Sequence, residues 1–524
     1  MAQLLRATLV VGGMTLISRL FGYVRDMVLA VNFGATGATD AFFVAFRIPN
    51  FLRRLFAEGA FSQAFVPVFA EYKTRHGQNA LRDLIDHVSG MLTLVLFVIT
   101  VLGMLAAPVL IMIFAPGFSG DDGRRELAIE MLRITFPYLL FISLTAMAGG
   151  ILNSMGRFAV PAFTPVFLNL SLIGAALFAA PWFSEPVKAL AWGVFIAGAV
   201  QLGFQIPFLL RLGLLPRPRL RRAHAGVRKI MRLMLPAIFG SSVVQINLLI
   251  DTLIASFLVA GSISWLYFSD RFVELPLAIF GIAIATVILP RLSHEHVSDD
   301  PKAFSRTLDW ALRLAVLIAI PAALGLILLA GPILASLIQY QAFTAFDTRM
   351  AALSLMAYAL GLPAFIFIKV LAPGFYSRQD TKTPVKIGII AMLANIALNF
   401  AIVVPWVWLE IPGAHAGLAL ATALSAMLNA GLLLGLLYRD RIYQPQPGWR
   451  RLGLAVALAG LLMALALWWL SPPLAQWGLW PAWQRVVTLF GLIGLGALSY
   501  LLTLLLLGLR WHEFSPQRLE SPTH

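Results

Sequence analysis

The sequence predicts an all-α integral membrane protein of fourteen transmembrane helices, built as two six-helix lobes related by a parallel repeat and followed by two extra C-terminal helices. Three observations carry this. Of 524 residues, 60% are hydrophobic and 12% charged, far from the balance of soluble domains. The apolar residues fall into long runs, each able to supply the roughly 20 residues with which an α-helix crosses the hydrocarbon core. Residues also recur at a fixed offset along the chain, the mark of an internal duplication.

In chain order the expected spans are 5–33, 36–58, 84–114, 126–152, 158–180, 187–210, 228–259, 265–290, 306–328, 346–375, 384–404, 413–438, 452–471 and 483–509. The first follows Arg6, outruns the core of a signal peptide and lacks a small-residue cleavage site, so it is expected to be retained. The 41 Gly and 30 Pro would damage soluble helices but are tolerated in membrane ones. Orientation follows from the loops. Arg211, Arg217, Arg219, Arg221, Arg222, Arg228, Lys229 and Arg232 collect where helix six leads to helix seven, whereas the opposite loops hold Arg124, Arg125 and Lys188. Basic residues resist translocation, so both termini are expected on the cytoplasmic side. The net charge of +15 brings nucleic acid to mind, but no water-facing basic module exists to bind it. Absence of Cys excludes disulfide scaffolds, Cys-ligated zinc, iron–sulfur clusters and thiol catalysis.

The duplication rests on four pairs. Pro67 and Pro290, and Pro161 and Pro384, are each 223 residues apart; Arg47 and Arg271, and Ala148-Gly149-Gly150 and Ala372-Pro373-Gly374, are 224 apart. Six helices per unit is an even number, so both units insert in one orientation, as in parallel-repeat transporters. The expected organisation is an N-lobe over 1–222, a C-lobe over 223–446, and helices thirteen and fourteen with a short tail over 447–524.

Charge inside these helices is the functional signal. Arginine at the centre of a membrane helix costs about 2.5–3.5 kcal/mol, so it usually faces a wet cavity. Helix one has Arg19 and Arg25-Asp26; helix two has Asp40, Arg47, Arg53, Arg54 and Glu58; helix eight, the repeat partner of helix two, has Asp270-Arg271 and Glu274. Arg54 and Glu58 could instead pair at the interface, and Asp270 could neutralise Arg271. An arginine-lined cavity binds an anion, and the guanidinium fork suits phosphate or diphosphate. Helices thirteen and fourteen, rich in Leu and Trp, either face lipid or offer a surface for an apolar tail.

These residues stand in longer motifs. Ser18-Arg19 through Gly22 and Arg25-Asp26, Thr39-Asp40-Ala41-Phe42-Phe43, Arg53-Arg54, and Phe56 through Pro67 together resemble the MurJ (MviN) family of lipid II flippases, within the MATE-like exporter superfamily. So do Ala372 through Pro384 and Gln444-Pro445-Gln446-Pro447-Gly448-Trp449. The resemblance spans essentially the whole chain. It implies transfer of lipid II, the polyprenyl-diphosphate-linked peptidoglycan precursor, from the cytoplasmic to the periplasmic leaflet of the bacterial inner membrane by alternating access. Arg19, Arg25, Asp40, Arg53 and Arg271 are the implied substrate-binding residues, with Arg25, Arg53 and Arg271 as the diphosphate clamp and helices thirteen and fourteen as the tail groove. The implied protein is a monomer working among membrane lipids, a transporter rather than an enzyme.

No cofactor is expected, but a second set of residues could hold Na⁺. Asp251 in helix seven, Asn395 and Asn399 on helix eleven and Thr422 on helix twelve offer oxygen ligands for a hard cation, although the two Asn could equally bridge helices. A membrane enzyme is the rival from another class, but the eight His are scattered, and His294-Glu295-His296 reads as a polar turn in a cytoplasmic loop. An O-antigen-type or multidrug exporter of the same superfamily is the nearer alternative.

Overall fold

The computed structural model describes residues 2–55, 61–119, 123–220 and 224–509, and gives no side-chain account of 2–11 and 235–245. Glu58, Arg221 and Arg222 lie outside the described residues. Every regular element among those described is helical. The chain divides into two compact units, Met1–Ser264 and Trp265–His524. The first unit holds α1 (Ala2–Phe33), α2 (Gly37–Arg53), α3 (Ser62–Arg75), α4 (Gly77–Leu105), α5 (Ala107–Phe114), α6 (Arg124–Thr135), α7 (Tyr138–Ser154), α8 (Ala159–Phe163), α9 (Val166–Gly174), α10 (Lys188–Arg211) and α11 (Ala225–Ser256). Next come α12 (Ser262–Pro276), at whose first turn the boundary falls, then α13 (Ile282–Val297), α14 (Pro301–Leu328), α15 (Ala330–Leu337), α16 (Ala345–Tyr376), α17 (Lys382–Trp408), α18 (His415–Arg439), α19 (Trp449–Leu470), α20 (Leu474–Trp477) and α21 (Ala482–Leu506). The expected duplication would put α11 in the second repeat, whereas packing against α3 and α4 places it in the first compact unit.

Among the described residues, eleven helices are long and apolar enough to cross a membrane, and in order they match eleven of the fourteen expected spans. The other three expected spans fall on α1, on the 17-residue α2, and on α11, whose apolar stretch is Ile246–Ser256. Several spans are not single helices. Pro137 separates α6 from α7, Pro165 separates α8 from α9, and Pro276 ends α12 ahead of a wide π-type turn at Leu277–Gly281, because proline removes an amide donor and crowds the preceding turn. His294-Glu295-His296 is also not a loop. It forms the last turn of α13, where the buried Glu295 accepts from Arg291 Nε at 3.0 Å and Thr307 Oγ1 at 2.7 Å.

Apolar periodicity fixes each core. In the first unit Phe61, Phe65 and Phe69 recur every four residues, so they share a face of the α3 region and pack with Leu84 and Ile151. In the second unit Val456, Met463 and Leu467 of α19 meet Leu489 and Tyr500 of α21 around the buried Trp477. Here α16 and α18 approach so closely that a Cβ on Gly361 would stand 2.8 Å from Ala423 Cα, the small-residue contact typical of membrane helices.

The Gln444-Pro445-Gln446-Pro447-Gly448-Trp449 motif is a clasp on Asp309 of α14. Asp309 is 3% exposed, and its Oδ1 accepts from Tyr443 Oη at 2.9 Å, Gln446 N at 3.0 Å and Trp449 Nε1 at 2.7 Å. Arg313 Nε donates to Oδ2 at 2.6 Å, while its Nη2 reaches the Gln446 and Pro447 carbonyls. Burial, with the Asp309 carboxylate beside it, pushes the Tyr443 phenol well above its ordinary value, so it remains a donor. Gly448 stands at φ +103°, the left-handed region that disfavours a side chain.

Candidate functional site

Arg25 lies three-quarters of the way along α1 with a side chain only 12% exposed. Its Nε and Nη2 donate to Asp26 Oδ1 at 2.9 and 2.7 Å, and its Nη1 donates to Asn169 Oδ1 at 3.0 Å. Asn169, on α9 and 6% exposed, anchors itself by donating from Nδ2 to the Ser18 carbonyl at 3.0 Å. The guanidinium plane is thus set from two sides, by a carboxylate that neutralises it and an amide that orients it. A guanidinium held this way has little conformational freedom left to lose. Arg19 is exposed on the same helix. Arg53, the last residue of α2, donates from Nε to Asn50 Oδ1 at 2.9 Å one turn earlier.

Asp40, expected among the substrate-binding residues, is engaged by donors of a neighbouring turn. It is 1% exposed; Oδ2 accepts from the Gly261 amide at 2.7 Å, and Oδ1 from the Ser264 amide and hydroxyl at 2.8 and 2.6 Å. These are donors left over where the helix from Ser262 begins, so the carboxylate caps that turn. Arg47 donates to the Thr252 hydroxyl of α11, which in turn donates to the Leu248 carbonyl at 2.7 Å. Asp251 is the half-buried neighbour of Thr252.

In the second unit Arg271 of α12 donates from Nη1 to Glu274 Oε2 at 2.6 Å and lies over the Tyr267 ring, 4.8 Å from its centroid. The pairing with Glu274 is part-exposed, 29% and 48% for the two side chains, so it stabilises little and can be exchanged. Asn399 Nδ2 donates to Asn395 Oδ1 at 3.0 Å, and Asn395 Nδ2 to Thr422 Oγ1 at 3.3 Å. This chain of amides ties α17 to α18. An apolar cavity of about 630 Å³ lies among α12, α14, α19 and α21, lined by Phe272, Pro276, Pro321, Met463, Phe490 and Tyr500 among others.

Not every arginine in a span serves a ligand. Arg485 of α21 is 7% exposed and donates to four carbonyls, of Trp480, Ala335, Gln339 and Gly478, at 2.9–3.0 Å. It holds α15 and α20 to α21 by filling orphan acceptors at their ends. Sequence reasoning missed Asn169, Asn50 and Asp309. For Asn169 a signal existed, since an amide in an otherwise apolar helix asks for a partner.

The model of the family described as Lipid II flippase MurJ matches residues 29–487. A Vibrio cholerae protein named "Probable lipid II flippase MurJ" is 50% identical over 515 residues, covering 97% of each chain. Among solved structures, a lipid II flippase MurJ in an inward closed conformation has a TM-score of 0.78 at 26% identity, covering 94% of this chain and 98% of that one. An inward-facing multidrug resistance MATE transporter has a TM-score of 0.66 at 14% identity, covering 83% and 98%, a likeness of fold alone.

Proposed function

Since the chain belongs to the lipid II flippase MurJ family, we propose that it moves lipid II from the cytoplasmic to the periplasmic leaflet of a bacterial inner membrane, for cell-wall synthesis. The observation that carries this is half-identity to a MurJ relative across nearly the whole of both chains. In this reading the chain is a monomeric transporter. Helices α1, α2 and α11 cross the membrane with the other eleven, both termini are cytoplasmic, and two six-helix repeats alternate access to the substrate.

Arg25 and Arg53 of the first unit and Arg271 of the second are read as the diphosphate contacts, with Arg19 as an outlying cation. Asp40 is read with them as a substrate-site residue, one whose carboxylate also orders the turn at Gly261 and Ser264. The 630 Å³ apolar cavity between α14, α19 and α21 fits the polyprenyl tail. Cationic side chains in the first two spans favour this substrate over the cargo of a multidrug exporter, and the MATE likeness concerns fold only. The test is complementation: in a bacterium depleted of its own lipid II flippase, this chain should sustain growth and rod integrity. Normal membrane accumulation with continued lysis would contradict the reading.

Sodium completes the proposal at Asp251, whose carboxylate sits in an apolar helix. Asn395, Asn399 and Thr422 bond one another, which supports a bridge between α17 and α18. Purified protein should melt higher in NaCl than in KCl at equal ionic strength, through preferential binding to the folded state, and Asp251→Asn should abolish the difference. Equal melting temperatures for the unsubstituted protein would remove the ion.

A further inference from the structure

Two of the eight histidines meet beside the first turns of α4 in the first unit. Asp83 and His87 are four residues apart near the start of α4, so both leave the same helix face. His224, the residue before α11, reaches them from the end of the segment that follows α10. The two imidazole rings lie 4.9 Å apart and 17° from parallel. Asp83 stands between them: Oδ1 is 3.3 Å from His87 Nδ1, and Oδ2 is 3.2 Å from His224 Nε2. One donor atom from each of the three residues lies within 4.8 Å of the others. His87 is 6% exposed, and Asp83 and His224 are half-buried.

From this juxtaposition we infer a binding site for a divalent transition-metal ion of the zinc class, held by the Asp83 carboxylate and the His87 and His224 imidazoles, with water in the fourth position. Two imidazoles and one carboxylate are the borderline donor set that zinc takes, whereas Mg²⁺ and Ca²⁺ seek oxygen throughout. A tetrahedral centre with bonds of about 2.0–2.1 Å sets its ligand atoms roughly 3.3 Å apart. The two nitrogen–carboxylate separations already have that value, so the donors close on an ion by small movements.

Proton bookkeeping links the site to α11. His87 Nδ1 also lies 2.8 Å from the Asp83 carbonyl, and His224 Nδ1 accepts from the Gly226 amide at 3.1 Å, so each ring now turns an N–H toward Asp83. To ligate through those atoms, each neutral ring must carry its proton on the other nitrogen. For His224 that ends acceptance from Gly226, which caps the first turn of α11. An ion therefore exchanges a cap within α11 for a tie between α11 and α4. Arg82 and Arg219 line the same cavity as Asp83, and their charge is expected to hold the affinity below that of a buried structural zinc. Occupancy is expected to restrain the α10–α11 connection and to slow transport.

The test uses the full-length protein in detergent, titrated with ZnCl₂ against a chromophoric chelator of micromolar affinity. One equivalent should bind and raise the melting temperature. His87→Gln and His224→Asn should each weaken binding at least about tenfold; Asn retains an acceptor for the Gly226 amide, which separates ligation from capping. A His294→Asn/His296→Asn variant should bind as the unsubstituted protein does. Unchanged affinity in the His87→Gln/His224→Asn protein, or no stoichiometric binding, overturns the site. If that double variant fails to accumulate, Co²⁺ in the unsubstituted protein decides: intense visible d–d absorption of a tetrahedral ion supports the site, and only the weak bands of an octahedral ion overturn it.

Discussion

Arg25→Ala is expected to abolish complementation of a flippase-depleted host while the protein still reaches the membrane. Losing a bidentate contact to a charged phosphate group costs about 1.5–3 kcal/mol, and in a transport cycle that loss recurs wherever the anion must be held. The structure adds a complication that can be separated experimentally. Removing Arg25 leaves the buried Asp26 without the guanidinium that now donates to it at 2.7 and 2.9 Å, so some loss of stability is expected alongside loss of binding. Arg25→Ala/Asp26→Ala should restore normal accumulation without restoring growth. Arg25→Lys should also fail, because an ammonium cannot span Asn169, Asp26 and a phosphate as the planar fork can. Growth supported by the double variant would dismiss Arg25 from substrate binding and leave it a structural pair.

Asp309→Ala is expected to be the most destabilising single substitution in the second unit. Its carboxylate accepts four hydrogen bonds, from Tyr443, Gln446, Trp449 and Arg313, at 3% exposure. Alanine leaves those donors together with an uncompensated guanidinium, a change that costs about 3–5 kcal/mol when one partner of a buried pair is removed. Thermal unfolding of purified protein should show a large fall in melting temperature, with reduced accumulation in cells. Asp309→Asn should lie between, since an amide oxygen keeps some acceptors but forfeits the charge that Arg313 faces. A melting temperature within a degree or two of the parent for Asp309→Ala would show that the clasp is dispensable.

The spans were legible because hydropathy is a local property. Runs such as 387–404 or 452–470 need no knowledge of their neighbours to read as membrane helices. What sequence could not place were breaks and partners. Pro276 was visible, but whether it kinks a helix or ends one depends on packing around Leu277–Gly281. Asp40 looked like a cavity residue because any carboxylate in a span looks costly; its donors, the amides of Gly261 and Ser264, are more than two hundred residues away and belong to the backbone, which sequence patterns do not reveal. Asn169 signals only that it needs a partner; which partners it takes, Arg25 and Ser18, 144 and 151 residues distant, is not written in the local sequence. The motif ending in Trp449 stood out by resemblance, yet its physical reason, Asp309, carries no sequence signal beyond being acidic. Conversely, histidines that look scattered in sequence come within ring-stacking distance at Asp83.

Carriage of lipid II across the membrane by this chain, with Arg25 acting on the substrate, has a direct readout. The most direct measurement is the amount of lipid II at the periplasmic face, read by cleavage with an impermeant lipid II-degrading enzyme in cells depleted of their own flippase. Cells expressing this chain should yield cleaved product at close to the level of undepleted cells. Those expressing Arg25→Ala/Asp26→Ala at equal membrane abundance should yield no more than depleted cells without the chain. Protection of lipid II in cells expressing the unsubstituted chain would mean that this chain does not carry it.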